Sequence, residues 1–328
     1  MKKMKKWCVA VTMIVASLCL LLPVVYAQGN WPTKPVKIIA AAPPGGSVDQ
    51  VSRILAAKLT AQLGQQFIVE NKGGASGSIG AAAVASSPPD GHTFGLVFDT
   101  HAVNPSTIPK MPYDTLKDLA SVMLVGTAPI VIVAHEKQPY KDFRDLLAEA
   151  KKKPKAVTYG SVGTGSLCHL AMAQIGGILG IEFNHIPYRG GGPLMNDAVN
   201  GQVPVAVASL FVTNPHVQSG KVRALGVTSP KPAPQMPGVK PVADQGVPNF
   251  SAVDWWGVIA SGKTPPPIIN RINEEINKIL KDPGVAQQLS TQGMDIIASK
   301  PAEFDKFLRS EMDRWAKVVR DHKIVLGE

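Results

Sequence analysis

Short apolar runs alternate along this chain with longer stretches in which apolar residues recur every three or four positions, the pattern of buried strands followed by amphipathic helices. Residues 36–42 are the first such run, and Val48, Val51, Ile54, Leu55 and Leu59 follow at helical spacing. PPGGS lies between them, and Ser47 with Gln50 fits a capping box, so the order is strand, glycine turn, helix. The order then repeats. A strand over 67–70 runs into NKGGASGS and an alanine-rich helix over 79–85, and a strand over 93–98 ends in the polar loop DTHAVNP. A buried strand over 129–134 and a helix over 140–151 follow. Residues 156–159 then lead through GSVGTGS into a helix over 167–179, and residues 182–187 lead through YRGGGP into another. Residues 203–210 and 223–227 read as strands, 229–242 as a proline-rich surface connection, and 254–260 as the strand that returns the chain to its first half. Helices over 268–280 and 302–321 close the chain, and their stripes (Ile269, Ile272, Ile276, Ile279; Phe304, Phe307, Leu308, Trp315, Val318, Val319) are core faces.

Two sets of strand, glycine loop and helix predict an α/β chain of two lobes, with loops at the carboxyl ends of the strands, where open α/β sheets bind ligands. Gly45 and Gly46 allow a sharp turn and close approach of a ligand to the backbone. A helix starting beside them offers unpaired N–H groups and a positive dipole end, worth roughly 0.3–1 kcal/mol towards an anion. One such loop is an ordinary turn; several facing one another across a cleft would surround an anion.

Residues 1–27 read as a secretory leader: Lys2, Lys3, Lys5 and Lys6 precede an apolar run over 9–25, and VYA ending at Ala27 suits a signal peptidase, with cleavage after Ala27. Pro23 interrupts the run, which is short for a membrane span. Trp7 precedes Cys8 and Leu18 precedes Cys19, where a lipid-modified cysteine wants a small neighbour, so no lipid anchor is expected. The exported chain keeps Cys168 alone and no internal disulfide, and its core must suffice by itself. Without the four leader lysines the formal charge of +10 becomes +6, scattered except at Lys151, Lys152 and Lys153. That excludes a clustered nucleic-acid face and fits a general attraction for small anions.

Catalytic patterns fare poorly. GVIASGKT, residues 257–264, spells a P-loop, but its first half reads as strand and Pro265, Pro266 and Pro267 are expected to bar the helix that a P-loop needs. The chain has no GxSxG, no HExxH and no metal-binding histidine spacing. Cys168 and His169 are adjacent on a helix and point about 100° apart, so they do not form a nucleophile and base, and Cys168 is read as a small buried side chain. Thr100 and His101 stand at a strand end, as ligand contacts or as loop packing. Arg189 precedes three glycines and is the best-placed cation for a carboxylate, or a plain surface arginine.

Taken in order, WPTKPVKIIAAAPPGGSVDQVSRILAAKL, NKGGASGSIGAAAVASSPPDGHTF, HAVNPSTIPKMPYDTLKDLA, YGSVGTGSLCHLA, HIPYRGGGPLMNDAVNGQV, WWGVIASGKTPP and EFDKFLRSEMDRWAKVV resemble the substrate-binding proteins of tripartite tricarboxylate transporters, the Bug family. The resemblance spans essentially the whole exported chain. It implies a two-lobed periplasmic binding protein fold with a hinge and an interlobe cleft, one lobe being residues 28–127 plus 255–328 and the other 128–254, with crossings near Thr127, Val227 and Trp255. It implies a monomer, not an enzyme and without cofactor or metal, that captures a small carboxylate and hands it to integral-membrane permease subunits. A sensory binding protein and an exported hydrolase are the alternatives. Carried over residue by residue, the carboxylate seat is Pro44, Gly45, Gly46 and Ser47 with Gly74, Ala75, Ser76, Gly77 and Ser78, faced by Ser161, Thr164 and Ser166, and Ser209 completes the set with Thr100, His101 and Arg189. The chain departs from the family at Ala42, Ser78, Pro204 and Ala208, and the last removes an acid that could meet a ligand ammonium. This points away from amino acids, towards a carboxylate with an uncharged or aromatic remainder.

Overall fold

The structure, a computed structural model, describes residues 31–321, and the leader expected over 1–27 with its cleavage after Ala27 lies outside the described residues. The apolar runs become strands and the periodic stretches helices, in the order β1 (Val36–Ala40), α1 (Ser47–Leu63), β2 (Phe67–Asn71), α2 (Ser78–Ala85), β3 (Thr93–Phe98), α3 (Thr100–Thr107), β4 (Leu119–His135), α4 (Phe143–Ala150), β5 (Thr158–Ser161), α5 (Leu167–Leu179), β6 (Asn184–Pro187), α6 (Gly191–Val199), β7 (Val205–Ser209), α7 (Leu210–Gln218), β8 (Val222–Val227), β9 (Val253–Ser261), α8 (Pro266–Leu280), α9 (Pro283–Thr291), β10 (Asp295–Ile296) and α10 (Pro301–Asp321). Among the described residues no helix is long and apolar enough to cross a membrane.

The strands form one curled mixed sheet in the order β2-β1-β3-β9-β4-β7-β5-β6, with β8 and β10 both paired to β4. The internal echo in the sequence is structural: β2-β1-β3 and β6-β5-β7 are the same parallel triplet, each leading into an α-helix after its first two strands in chain order. β4 joins the two halves. Its first part pairs with β9 and β10, its last part with β7 and β8, and register shifts beside Met123, Gly126 and Val133 bend it between the two. Thr228 ties this region together: its N–H and hydroxyl both bond to Ile130 O, Ile130 N donates to its Oγ1 at 3.1 Å, and the hydroxyl also reaches Ala252 O at 2.6 Å.

Apolar cores flank the sheet, and α10 enters two of them. Phe304 and Leu308 pack with Trp255 and Ile259 on the first half, whereas Trp315, Val318 and Val319 pack with Ile130, Ile132 and Leu167 on the second.

Five sequence expectations change. The polar strand end DTHAVNP is the helix α3, because Ala102 and Val103 have a core to enter and packing overrides the weak local signal of a stretch that contains Pro105. The prolines after Lys263 do not bar a helix; Pro266 and Pro267 begin α8, since first-turn N–H groups have no intrahelical acceptor to lose. Strand structure starts at Leu119, ten residues before the expected run, and α9, capped by the Asp282 carboxylate on Val285 N, was not expected at all. Ser47 does not cap α1; Gly46 is the N-cap and makes no side-chain bond.

Candidate functional site

The carboxyl ends of the two strand triplets open on one cavity of about 1070 Å³. Its walls are the loops that follow β1 and β2, the loops that follow β5 and β6, and the Asp254, Trp255 and Trp256 stretch of β9. The two sides touch at the rim. Ser76 Oγ donates to Thr164 O at 2.9 Å, and a Cβ added to Gly190 would lie 3.7 Å from Pro43 Cδ.

In the first loop, Gly45 adopts φ +86° and its N–H is taken by Asp49 Oδ2 at 3.0 Å, while Gln50 Nε2 bonds Gly45 O. The N–H groups of Gly46, Ser47 and Val48 donate to no protein acceptor among the described residues, and they sit at the start of α1. Ser47 Oγ instead accepts from Trp256 Nε1 at 3.1 Å. Asn71 ties this loop to the second one, donating to Ala42 O and Asp49 Oδ1.

The second loop holds four successive residues at positive φ: Gly74 (114°), Ala75 (45°), Ser76 (55°) and Gly77 (84°). For alanine and serine this is a sparsely populated conformation that neighbours must hold. Thr100 Oγ1 and Asn104 Nδ2 do so, both donating to Ser76 O, at 2.6 and 3.0 Å. The N–H groups of Gly74, Ala75 and Ser76 again have no protein acceptor among the described residues. From the other side come the unpaired N–H of Thr164 and those of Gly190, Gly191 and Gly192 at the start of α6. Backbone donors and the starts of two helices thus converge from both halves on one space, an arrangement that favours an anion.

Of the residues singled out in the sequence, Pro44, Gly46, Ser47, Gly74, Ala75, Ser76, Gly77, Thr164, Arg189 and Ser209 lie on the cavity wall. Gly45 sits just behind it, and Ser78 is buried in the first turn of α2. Thr100 supports Ser76 from below. His101 is 2% exposed on α3, stacked 6.3 Å from Tyr113, with no partner on either ring nitrogen, and burial lowers its pKa to about 4. It is a neutral core group, turned away from the cleft by its helix. Ser161 and Ser166 build the third loop from within: Ser161 Oγ contacts His185 Nε2 at 2.7 Å, and Ser166 accepts from His169 N at the start of α5.

The Ser161–His185 contact is not a hydrolytic dyad. Ser161 is fully buried off the cavity wall, and burial, then the stacked His169 ring 4.1 Å away, pushes His185 down to about 3. Nor is the P-loop spelling a phosphate loop, because Gly257–Ser261 lies inside β9 and Gly257 leaves room for the Phe304 ring. Cys168 is a buried free thiol, and the described residues contain no cluster of three metal-ligating side chains.

Sequence reasoning missed Phe98, Ile108, Val162, Tyr188, Val212 and Trp256 on the apolar wall, and two acids, Asp99 and Asp254. The acids had a signal, since Asp99 directly follows one apolar strand run and Asp254 opens another. Both line the cavity, and their carboxyls stand close enough to affect each other's ionisation. Burial pushes Asp99 up to about 6, and burial together with the Asp99 carboxylate pushes Asp254 well above the carboxylate range. Each carboxyl disfavours ionisation of the other, and the two titrate as a pair.

Residues 51–324 match the family described as tripartite tricarboxylate transporter family receptor. Protein BugT of Bordetella pertussis is 35% identical over 294 residues, 89% of this chain and 90% of BugT. Among solved structures, the periplasmic binding protein BugD superposes with a TM-score of 0.85 at 28% identity, covering 90% of this chain and 99% of BugD. An R. palustris protein solved with adipate superposes with a TM-score of 0.86 at 29% identity, covering 90% and 99%.

Proposed function

The chain belongs to the tripartite tricarboxylate transporter receptors, and from that premise we propose that it captures a small carboxylate in the periplasm and delivers it to the membrane permease subunits of such a transporter. The reading is carried by the unconsumed backbone N–H groups that converge on one cavity from Gly46–Val48, Gly74–Ser76, Thr164 and Gly190–Gly192. The bound adipate of the R. palustris relative supports a carboxylate as the guest.

No covalent chemistry is required. The seat is Pro44, Gly46, Ser47 and residues 74–77, with Thr164, Arg189 and Ser209 facing it, and Gly45, Ser78, Thr100, Ser161 and Ser166 hold the loops in shape. Charge-assisted hydrogen bonds contribute about 1.5–3 kcal/mol each, so a few from each side, offset by ordering and desolvation, suffice for micromolar binding near about −8 kcal/mol. Because donors come from both halves, a bound carboxylate favours the closed arrangement. The moving bodies are residues 28–127 plus 255–328 and residues 128–254, and the hinge lies where Thr127, Val227 and Trp255 cross. Residues 1–27 direct export and are cleaved off after Ala27, and the receptor works as a monomer.

A thermal-shift screen of mono-, di- and tricarboxylates, aromatic acids included, followed by mass spectrometry of the retained compound, tests this. Stabilisation by a carboxylate is expected. Stabilisation by nucleotides and by no acid would overturn it.

A further inference from the structure

We propose that the Asp99 and Asp254 pair is a second ligand subsite that takes a cationic amine, so that the guest is an aminocarboxylate with its carboxylate at the glycine loops and its ammonium at the acids. The proposal rests on the carboxylate reading of the cleft and adds what lies at the other end of the guest.

The charged side chains on the cavity wall are Asp99, Asp254 and Arg189. Arg189 is exposed, whereas the acids are 3% and 8% exposed. One carboxylate oxygen of each acid, Oδ1, has no hydrogen-bond partner among the described residues. Two buried acceptors without a partner, on acids that line the cavity, are costly unless a guest completes them. The other titratable groups facing the pair, Glu311 from α10 and the Cys168 thiol from α5, bring no positive charge. The pair therefore presents an uncompensated negative charge in a desolvated wall. A guest's second carboxylate placed there would meet like charge with little solvent screening; an ammonium would meet two open acceptors and an opposite charge. Between the two ends the wall is apolar, with Val48, Phe98, Val162, Val212 and Trp256, which asks for an uncharged body.

An arriving ammonium favours the ionised form of both acids, so whatever proton the pair holds leaves to solvent as the amine docks. A docking carboxylate demands the reverse, uptake of a proton.

The test uses the exported chain and three series of straight-chain acids matched in length from four to eight carbons: the monocarboxylate, the α,ω-dicarboxylate and the ω-aminocarboxylate. Calorimetry at pH 7 in two buffers of different ionisation enthalpy reads affinity and proton exchange together. At the best length the aminocarboxylate binds at least about tenfold more tightly than both partners and releases a fraction of a proton. Asp254→Asn, and separately Asp99→Asn, brings that ratio to within about threefold, with circular dichroism confirming the fold. Because proton release is read on the unaltered protein, the outcome does not depend on the variants folding. Dicarboxylates that bind as tightly at every length, or a ratio that survives both substitutions, overturn the subsite and leave the carboxylate seat standing. Failure of every acid in all three series overturns both.

Discussion

Gly257 sits in the middle of β9 beneath the Phe304 ring of α10, and adding one methyl group there would place a Cβ 2.2 Å from Phe304 Cζ and 2.8 Å from Cε1. Ordinary contact begins near 3.4 Å, so the ring must move by about 1.2 Å. It has little room to do so: Phe304 is fully buried and edge-packed 5.7 Å from Trp255. Overpacking of this kind costs about 1–3 kcal/mol, and the greater strand preference of alanine returns about 0.5–1 kcal/mol of it. Gly257→Ala is thus expected to destabilise the protein by about 1–2 kcal/mol, which for a chain of this size lowers the melting midpoint by about 2–8 °C. The assay is urea unfolding followed by far-ultraviolet circular dichroism on four proteins: the parent, Gly257→Ala, Phe304→Ala and the double variant. Phe304→Ala alone costs about 3–5 kcal/mol by leaving a cavity. In its background the new methyl group enters empty space, so alanine at 257 becomes neutral or stabilising, and the coupling energy is about 1–3 kcal/mol. An equal cost in both backgrounds would refute the assignment of the glycine to α10 docking, and with it the account of the GVIASGKT spelling as a packing feature.

Thr228→Val keeps the shape of the side chain and strands the buried Ile130 N–H, which donates to Thr228 Oγ1 at 3.1 Å; urea unfolding should show a loss of about 1–3 kcal/mol, and a loss under about 0.5 would remove this residue from the crossing. Ser76→Ala deletes the 2.9 Å bond to Thr164 O across the cleft, and calorimetry with a carboxylate found in the screen should show affinity falling about 2- to 12-fold, the equivalent of about 0.5–1.5 kcal/mol; unchanged affinity would mean that this contact plays no part in closure. Stability should also depend on pH in two opposed ways. Asp99 has its pKa raised to about 6, so its contribution is full below the ordinary value of 3.8 and is lost as pH rises through 6, and Asp99→Asn should flatten that loss. His101, lowered to about 4, contributes above 6.5 and loses that contribution as pH falls through 4, so melting of His101→Leu should be less acid-sensitive over that window, by at most about 3 kcal/mol; identical profiles would refute the buried neutral ring.

The repeat, the glycine loops and the two helix faces of the second half were legible in the amino-acid order because each depends on neighbours within a few residues. Apolar runs such as 36–40 and 205–209 have the length of a buried strand and lie between turn signals, and GG before a periodic stretch reads as a turn into a helix. The length of β4 was not legible, because LASVMLVGT looks like a strand only when β9 lies beside it, and α3 was not, because His101, Ala102 and Val103 become a helix through the core they enter. The same holds at the site. Ser47 reads as a cap by its spacing, yet its hydroxyl goes to Trp256, more than two hundred residues away.

By itself, then, the sequence determined that two sets of backbone donors would exist and in what order. Only the tertiary structure decided that they face one cavity, that His101 lies behind its wall, and that Asp99 and Asp254 meet on it with their ionisation opposed by burial. The physical reason is range: turns, caps and amphipathic faces are settled by steric and hydrogen-bonding preferences over one or two turns of chain. The charge and protonation of a buried group are settled by whatever the fold brings within a few ångströms of it, and that carries no local signature.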